Sequence, residues 1–428
     1  MARRNQHRPK PPPRRLLARI DHIAAGGDGV ALVDGARIFV PLTAPGDVAE
    51  IEARDDRGAL IGLKEPSPVR AEAPCRHYGR CGGCALQHVT RGFYRDWKRQ
   101  RVVDALAREG FDASIVGDLI ETPAATRRRA TFAVKKLRER GALGFNARRS
   151  AAIEEIEDCL ILHPELLKRL PALRALAAKV GSDAFDLAVT LCDNGLDATV
   201  SAASPDEPRG RALIDLLSLM RAANVIRLSF NGEPVASLAT PVVSFSEISV
   251  TPPPGGFLQA SREGETALID LVRKAASGAK KIADLFSGCG TFSLPLAKDA
   301  TVSAFDSDAG SIAALSKAAA DAQRTGVAVN PVKAEMRDLF ERPLTAKELK
   351  GFDAVVFDPP RAGAADQARE IAASGVRLVI GVSCNPATFA RDARILADAG
   401  YALDAATPVD QFVYSSHVEL VGVFRKKP

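Results

Sequence analysis

From about residue 243 the chain alternates short apolar runs with helical patterns, an order that few folds accept. Residues 281–286, 301–306, 329–334, 352–358, 377–383, 402–409 and 418–424 read as strands, and 265–276, 309–324 and 387–399 as the clearest helices. Strands joined through helices build a doubly wound parallel sheet. Only residues 410–417 separate the last two strands. That is too short for a parallel crossover, so the final strand must run antiparallel. In such a sheet ligands sit beyond the carboxyl ends of the strands.

The chemistry-bearing motifs fall at that rim. GVSCNP at 381–386 ends an apolar run and presents the thiol of Cys384 there. A lone cysteine is more often an inert core residue, but DLFSGCGTF (284–292), DPPRAG (358–363) and HVE (417–419) accompany this one. The turn Ser287-Gly288-Cys289-Gly290 lets backbone approach a nucleotide-like ligand. Asp306, about twenty residues on, is placed to accept ribose hydroxyls. The pattern DxFxGxGxF, unlike GxGxxG, favours the methyl donor S-adenosylmethionine over a dinucleotide. DPPR ends in Arg361, where methyltransferases acting on exocyclic amines carry a stacking aromatic, and this points to carbon as the acceptor.

Methylating C5 of uracil requires a thiolate to add at C6, which makes C5 nucleophilic, and then a base to remove the C5 proton. Cys384 supplies the thiol. Glu419 opens the antiparallel strand, returns to the same rim and is the candidate base; a carboxylate that pairs with an arginine is the plainer alternative. His417 suits loop support. A zinc deaminase is excluded because no H-x-E…P-C-x-x-C arrangement exists. A cytosine-C5 enzyme, which also uses a cysteine, fits this setting less well than a uracil one.

The rest of the chain suggests two or three domains in all. No apolar run is long enough for a bilayer and the N-terminus lacks a signal-peptide core, so a cytoplasmic protein without a membrane partner is expected. The net charge of +6 is uneven: Arg3, Arg4, Arg8, Lys10, Arg14, Arg15 and Arg19 precede any acidic residue. Interleaved with prolines, they suit an arm on a polyanion or a solvated tail. Residues 20–61 read as a small β-barrel, either a single-strand nucleic-acid module or a scaffold. Cys75, Cys81 and Cys84 form C-x5-C-x2-C, with Cys159 as the nearby fourth thiol. Without an export signal, such thiols argue for metal, as an iron–sulfur cluster or a four-thiolate zinc site. Residues 94–109 form a basic helical pattern ended by Gly110. Arg127–Arg129, Lys135, Lys136, Arg138, Arg140, Arg148 and Arg149 line a hairpin suited to phosphates, or one merely exposed. The mixed α/β stretch to Leu238 has no catalytic signature, and His163 and Cys192 there read as structural.

Phe257-Leu258-Gln259 together with the four motifs above resembles the bacterial RNA uracil-C5 methyltransferase family, in particular its iron–sulfur 23S rRNA branch. The resemblance implies a class I S-adenosylmethionine-dependent methyltransferase sheet (Rossmann-like, α/β) at 243–428. It implies an OB-like TRAM barrel at 16–70, a central mixed α/β domain at 71–242 and a disordered basic arm at 1–15. It further implies that Gln259, Phe286, Asp306, Glu335 and Asp358 touch S-adenosylmethionine, and that Cys384 is the nucleophile and Glu419 the base. By the same resemblance Cys75, Cys81, Cys84 and Cys159 hold a [4Fe-4S] cluster. The implied product is 5-methyluridine in 23S rRNA with no obligate protein partner; a tRNA enzyme and a non-catalytic RNA-binding iron–sulfur protein are the alternatives. The chain departs from the family pattern at Ser287, Thr291, Asp306 (usually Glu), Ala260-Ser261 and Val413.

Overall fold

The computed structural model describes residues 12–137, 140–203 and 210–427. Arg3, Arg4, Arg8 and Lys10 of the basic arm, and Arg138 of the hairpin, lie outside the described residues. The chain divides into two compact units: residues up to Trp97 with Tyr414–Ser416, and Lys98–Val413 with the segment from His417 onward.

The first unit contains a closed barrel of five strands, Arg14–Ile23, Gly29–Val33, Ala36–Val40, Val48–Arg54 and Arg57–Glu65. Alternate residues point inward, so Ala18, Ile20, Ala31, Ile38, Val40, Ala49, Ile51 and Ala53 form its filling. The ladder begins earlier than the sequence suggests. Arg14 and Arg15, grouped with the basic arm by composition, pair with Ala53 and Glu52 because Leu16 and Ala18 continue the inward alternation opposite Ile51 and Ala49.

The second unit carries an eight-stranded sheet in the spatial order Val332–Met336, Thr301–Asp306, Lys281–Leu285, Ala354–Phe357, Leu378–Ser383, Glu419–Lys426, Tyr401–Asp410 and Ile120–Glu121. The expected seven strands are all present, and Glu419–Lys426 is antiparallel to both of its neighbours. The strand expected at 329–334 pairs only from Val332, since Pro331 has no N–H and merely accepts from Val302. The eighth strand, Ile120–Glu121, joins in parallel to Val409 and Asp410. Apolar layers cover both faces, one built around Val355, Phe357, Phe389 and Phe424 and the other around Ile282, Val356, Ile380 and Val421.

The same unit holds a seven-stranded mixed sheet that includes the hairpin Arg129–Leu137 and Arg140–Asn146. Helices Pro164–Lys179 and Arg211–Ala223 pack on it through Leu166, Leu170, Leu173, Leu216 and Met220. His163 caps the first of these by accepting the Glu165 N–H at 3.2 Å, and Cys192 is buried; both are structural, as expected. Arg128, expected among the cations that face phosphates or solvent, faces neither. It is buried, ion-paired with the equally buried Glu265, and its Nε donates to the Gln259 carbonyl at 3.2 Å. Arg128→Met leaves that carboxylate buried without its cation, and a loss of about 3–5 kcal/mol is expected in urea unfolding. Restoration by Arg128→Met/Glu265→Leu would tie the loss to the unpaired charge. Among the described residues no helix is long and apolar enough to cross a membrane.

Candidate active site

The strand Leu378–Ser383 is buried throughout and delivers Cys384 to the sheet rim. The turn is fixed locally. Ser383 Oγ accepts the Asn385 N–H at 3.1 Å, and Asn385 Oδ1 accepts the Ala387 N–H at 3.2 Å, capping the helix Pro386–Asp398. Asn385 Nδ2 and Thr388 Oγ1 both donate to the Arg361 carbonyl, at 3.0 and 3.2 Å, which fastens the DPPR loop to the thiol-bearing turn. Ser383 pairs with Leu420, so Cys384 and Glu419 are the next positions outward on adjacent strands.

Charge ties these residues together. Burial, then Glu419 and Asp358, push the Cys384 thiol up to about 11, while Arg361 pulls it down. Burial holds Glu419 up at about 7 against a hydrogen bond from Gln411 and the Lys98 and Arg361 cations. Burial and Glu419 lift Asp358 to about 8. At neutral pH the site therefore holds a protonated thiol beside carboxyl groups that burial keeps partly protonated. Asp358→Asn removes one of the charges opposing the thiolate. Alkylation of Cys384 by iodoacetamide at pH 8, followed by peptide mass spectrometry, should then accelerate by roughly 3- to 10-fold, because below the pKa each unit is a tenfold change in thiolate. An unchanged rate would uncouple the two residues.

Gln411 and Lys98 carry no signal in the sequence, yet both stand behind Glu419. Gln411 Nε2 donates to Gln259 Oε1 at 2.7 Å and its Oε1 accepts the Ala260 N–H at 3.2 Å. Lys98 is paired with Asp410 at 2.8 Å. His417 supports the loop as expected. Its Nδ1 lies 3.2 Å from Arg361 Nη2, its ring meets Phe412 edge-on, and burial with surrounding cations holds it neutral, near 4.

The loop after Lys281–Leu285 has the form of a ligand cradle. Gly288 takes φ +53° and a Cβ there would meet nothing within 4 Å, whereas a Cβ on Gly290 (φ +100°) would fall 2.6 Å from Leu315. The first glycine leaves space for a ligand and the second lets the helix Ala309–Arg324, which carries Leu315, approach. Asp306 braces the loop by accepting N–H groups from Gly288 at 2.9 Å and Asp308 at 2.8 Å. Asp284, fully buried, accepts from Ser293, and burial lifts its carboxyl to about 7. Asp284 Oδ1 and Ser287 Oγ have no hydrogen-bond partner among the described residues. Orphaned buried oxygens beside an open glycine turn fit a ligand with amine and hydroxyl donors. Phe286, at φ +62°, packs against half-exposed Phe340 at 5.4 Å between centroids. Asp306 ends its strand at this rim, and Glu335, opposite Phe305, lies one residue before the end of the adjacent strand. The loop, the DPPR turn, Gln259, Cys384 and Glu419 thus belong to one unit.

Cys75, Cys81 and Cys84 lie half-buried on an irregular stretch of turns in the first unit, where the Gly83 N–H donates to Cys81 Sγ at 3.4 Å. Such N–H···S contacts suit a sulfur-ligated group. Cys159, in the second unit, packs beside the core of the seven-stranded sheet. Among the described residues no three or more His, Cys, Asp or Glu side chains are gathered so as to hold a metal ion.

Comparison with known proteins gives a family. Residues 248–428 match the family model described as tRNA (Uracil-5-)-methyltransferase. An RNA methyltransferase of Rhizobium meliloti is 43% identical over 415 residues, covering 95% of this chain and 98% of that protein. The 23S rRNA (uracil(1939)-C(5))-methyltransferase RlmD of Pseudomonas putida is 33% identical over 433 residues, covering 95% and 92%. The crystal structure of Pyrococcus abyssi tRNA (uracil-54, C5)-methyltransferase with S-adenosyl-L-homocysteine shares the fold, with a TM-score of 0.72 at 22% identity over 96% of this chain and 100% of that one. The chain belongs to the RNA uracil-C5 methyltransferase family, whose members are S-adenosylmethionine-dependent enzymes.

Proposed function

We propose that this protein forms 5-methyluridine in 23S rRNA, with Cys384 as nucleophile and Glu419 as base. The observation that supports the chemistry most is the Ser383–Leu420 register, which makes Cys384 and Glu419 neighbours at one rim. The 23S assignment rests on the Pseudomonas putida relative and on the cysteine spacing.

S-adenosylmethionine, when bound, supplies a methyl group on a sulfonium. Gln259, Phe286, Asp306, Glu335 and Asp358 would hold it, with Asp284 and Ser287 as added polar partners. Cys384 gives its proton to solvent as its sulfur bonds to C6 of uracil, and the electron pair shifts toward C5, which takes the methyl. Glu419 then removes the proton from C5, the C5–C6 double bond returns and the C6–S bond breaks. Arg361, which lowers the thiol pKa, favours the thiolate. The electron balance closes without a redox step. A [4Fe-4S] cluster on Cys75, Cys81, Cys84 and Cys159 therefore has a structural part in this proposal. Iron and sulfide analysis of anaerobically purified protein tests it; zinc without iron would favour the four-thiolate zinc site. The division of the chain at 15, 70 and 242, RNA contact by the barrel and by Lys135, Lys136, Arg148 and Arg149, and work in the cytoplasm complete the reading.

Nucleoside mass spectrometry of separated rRNA and tRNA, from cells with and without the gene, tests the whole. Loss of 5-methyluridine from large-subunit rRNA alone supports the assignment. Loss from tRNA alone keeps the mechanism and replaces the substrate. No loss from either pool rejects the proposal.

A further inference from the structure

We propose that Lys98 is a positioning residue for Glu419, tying together both ends of the segment between Asp410 and Glu419. The inference rests on the reading of Glu419 as the base. Lys98 lies on the helix Arg91–Arg108 and its side chain is 0% exposed, a placement that costs free energy unless the ammonium is fully partnered. Its Nζ reaches Asp410 Oδ1 at 2.8 Å, the Phe412 carbonyl at 3.2 Å and the His417 carbonyl. An ammonium has three N–H donors, and these acceptors match them. Two lie where the segment leaves its strand, and the third lies two residues before Glu419. The same ends are also joined by the pairing of Val409 with Glu419 and by the edge-on contact of Phe412 with His417, and Lys98 adds the one charge among these ties.

The surroundings leave little slack. Thr122 Oγ1 donates to the Asp410 carbonyl at 2.7 Å, and a Cβ on Gly264 would fall 2.5 Å from Gln411 Cβ. Glu419 is faced by Lys98 from the helix, Arg361 and Asp358 from the DPPR loop, Cys384 from the neighbouring strand and Gln411 from its own segment. Asp410, His417 and Arg101 stand around Lys98. Lys98 thus both anchors the start of the base's strand and places a cation beside its carboxylate. A purely structural lysine would affect folding alone.

The test compares wild type, Lys98→Met and Glu419→Gln in the full-length enzyme with an RNA substrate. Lys98→Met keeps the apolar stem and removes the donors and the charge. Expected are a fall in kcat of at least about tenfold at pH 7, a KM for RNA within about twofold of wild type, and a rising limb of the pH–rate profile moved up by about one unit, since the carboxylate loses an opposite charge. The covalent RNA adduct should also persist longer. A folded Lys98→Met enzyme with an unmoved limb and a wild-type adduct lifetime overturns the proposal. Should the buried, unpaired Asp410 prevent folding, Lys98→Met/Asp410→Asn removes both charges and must show the same shift; an unmoved limb there is equally fatal. If Glu419→Gln turns over normally, the base assignment fails and this inference with it. If Glu419→Gln traps the adduct while the Lys98 variants behave as wild type, this inference alone fails.

Discussion

Cys384→Ala is expected to abolish methyl transfer, with turnover reduced by at least about 10⁴-fold, the scale seen when a covalent nucleophile is removed. Neither of the two buried cysteines is suited to replace it. Cys289 is buried, its thiol pushed up to about 12, and Cys192 is likewise buried and raised to about 12. Donor binding should survive, because the glycine turn, Asp306 and the orphaned oxygen of Asp284 do not depend on Cys384. Folding should survive too, since the thiol is only half-buried and the turn is held by Ser383, Asn385 and Thr388. Cys384→Ser should be as inactive as alanine, because a hydroxyl in this carboxylate-rich setting ionises far less readily than a thiol. Isothermal titration with S-adenosylmethionine, a denaturing gel for the RNA adduct and a methylation assay together check the claim. Measurable turnover by the alanine variant would reject the covalent route outright.

Much of the fold was legible because it follows from local pattern. Strand–helix alternation implies the parallel sheet, and the short connection before His417 forces the last strand to run antiparallel. That single reversal also predicts that Cys384 and Glu419 meet, since one strand ends where the other begins. What escaped were relations across sequence distance. Ile120–Glu121 is too short to show a period, and its place in the sheet depends on strand Tyr401–Asp410. Lys98 reads as one more cation on a basic helix; its partner Asp410 is 312 positions away, and nothing local marks it as buried. Arg128 hides in the same way within a run of arginines whose other members stay partly exposed. Gln411 is a polar loop residue until Gln259 and Ala260 are seen beside it. Spacing places the cysteines on the chain without showing how the thiols would be drawn together.

Glu419→Gln should separate the two halves of the reaction. The amide matches the carboxylate in shape, so sulfur addition and methyl transfer can proceed, but it cannot take the C5 proton. The enzyme should therefore accumulate a methylated covalent adduct while turnover falls by about 10²–10⁴-fold, the usual worth of a positioned base. The wild type supplies an internal control through pH. Its carboxyl is held up at about 7, and in the proposed mechanism the ionised form takes the proton. Elimination should slow as pH falls through 7, and below about pH 6 the wild-type enzyme should begin to trap adduct as the variant does. Stability moves in the opposite sense. A carboxyl whose folded pKa is raised above its unfolded value opposes folding once pH exceeds the unfolded value, so replacing it with a neutral amide should raise the melting temperature at pH 8 and leave it nearly unchanged at pH 4. A structural carboxylate that merely pairs with Arg361 predicts the reverse, a lower melting temperature at pH 8 and no adduct. Loss of the base, gain of adduct and gain of stability in a single substitution would identify Glu419 as a group kept at a folding cost for its proton chemistry.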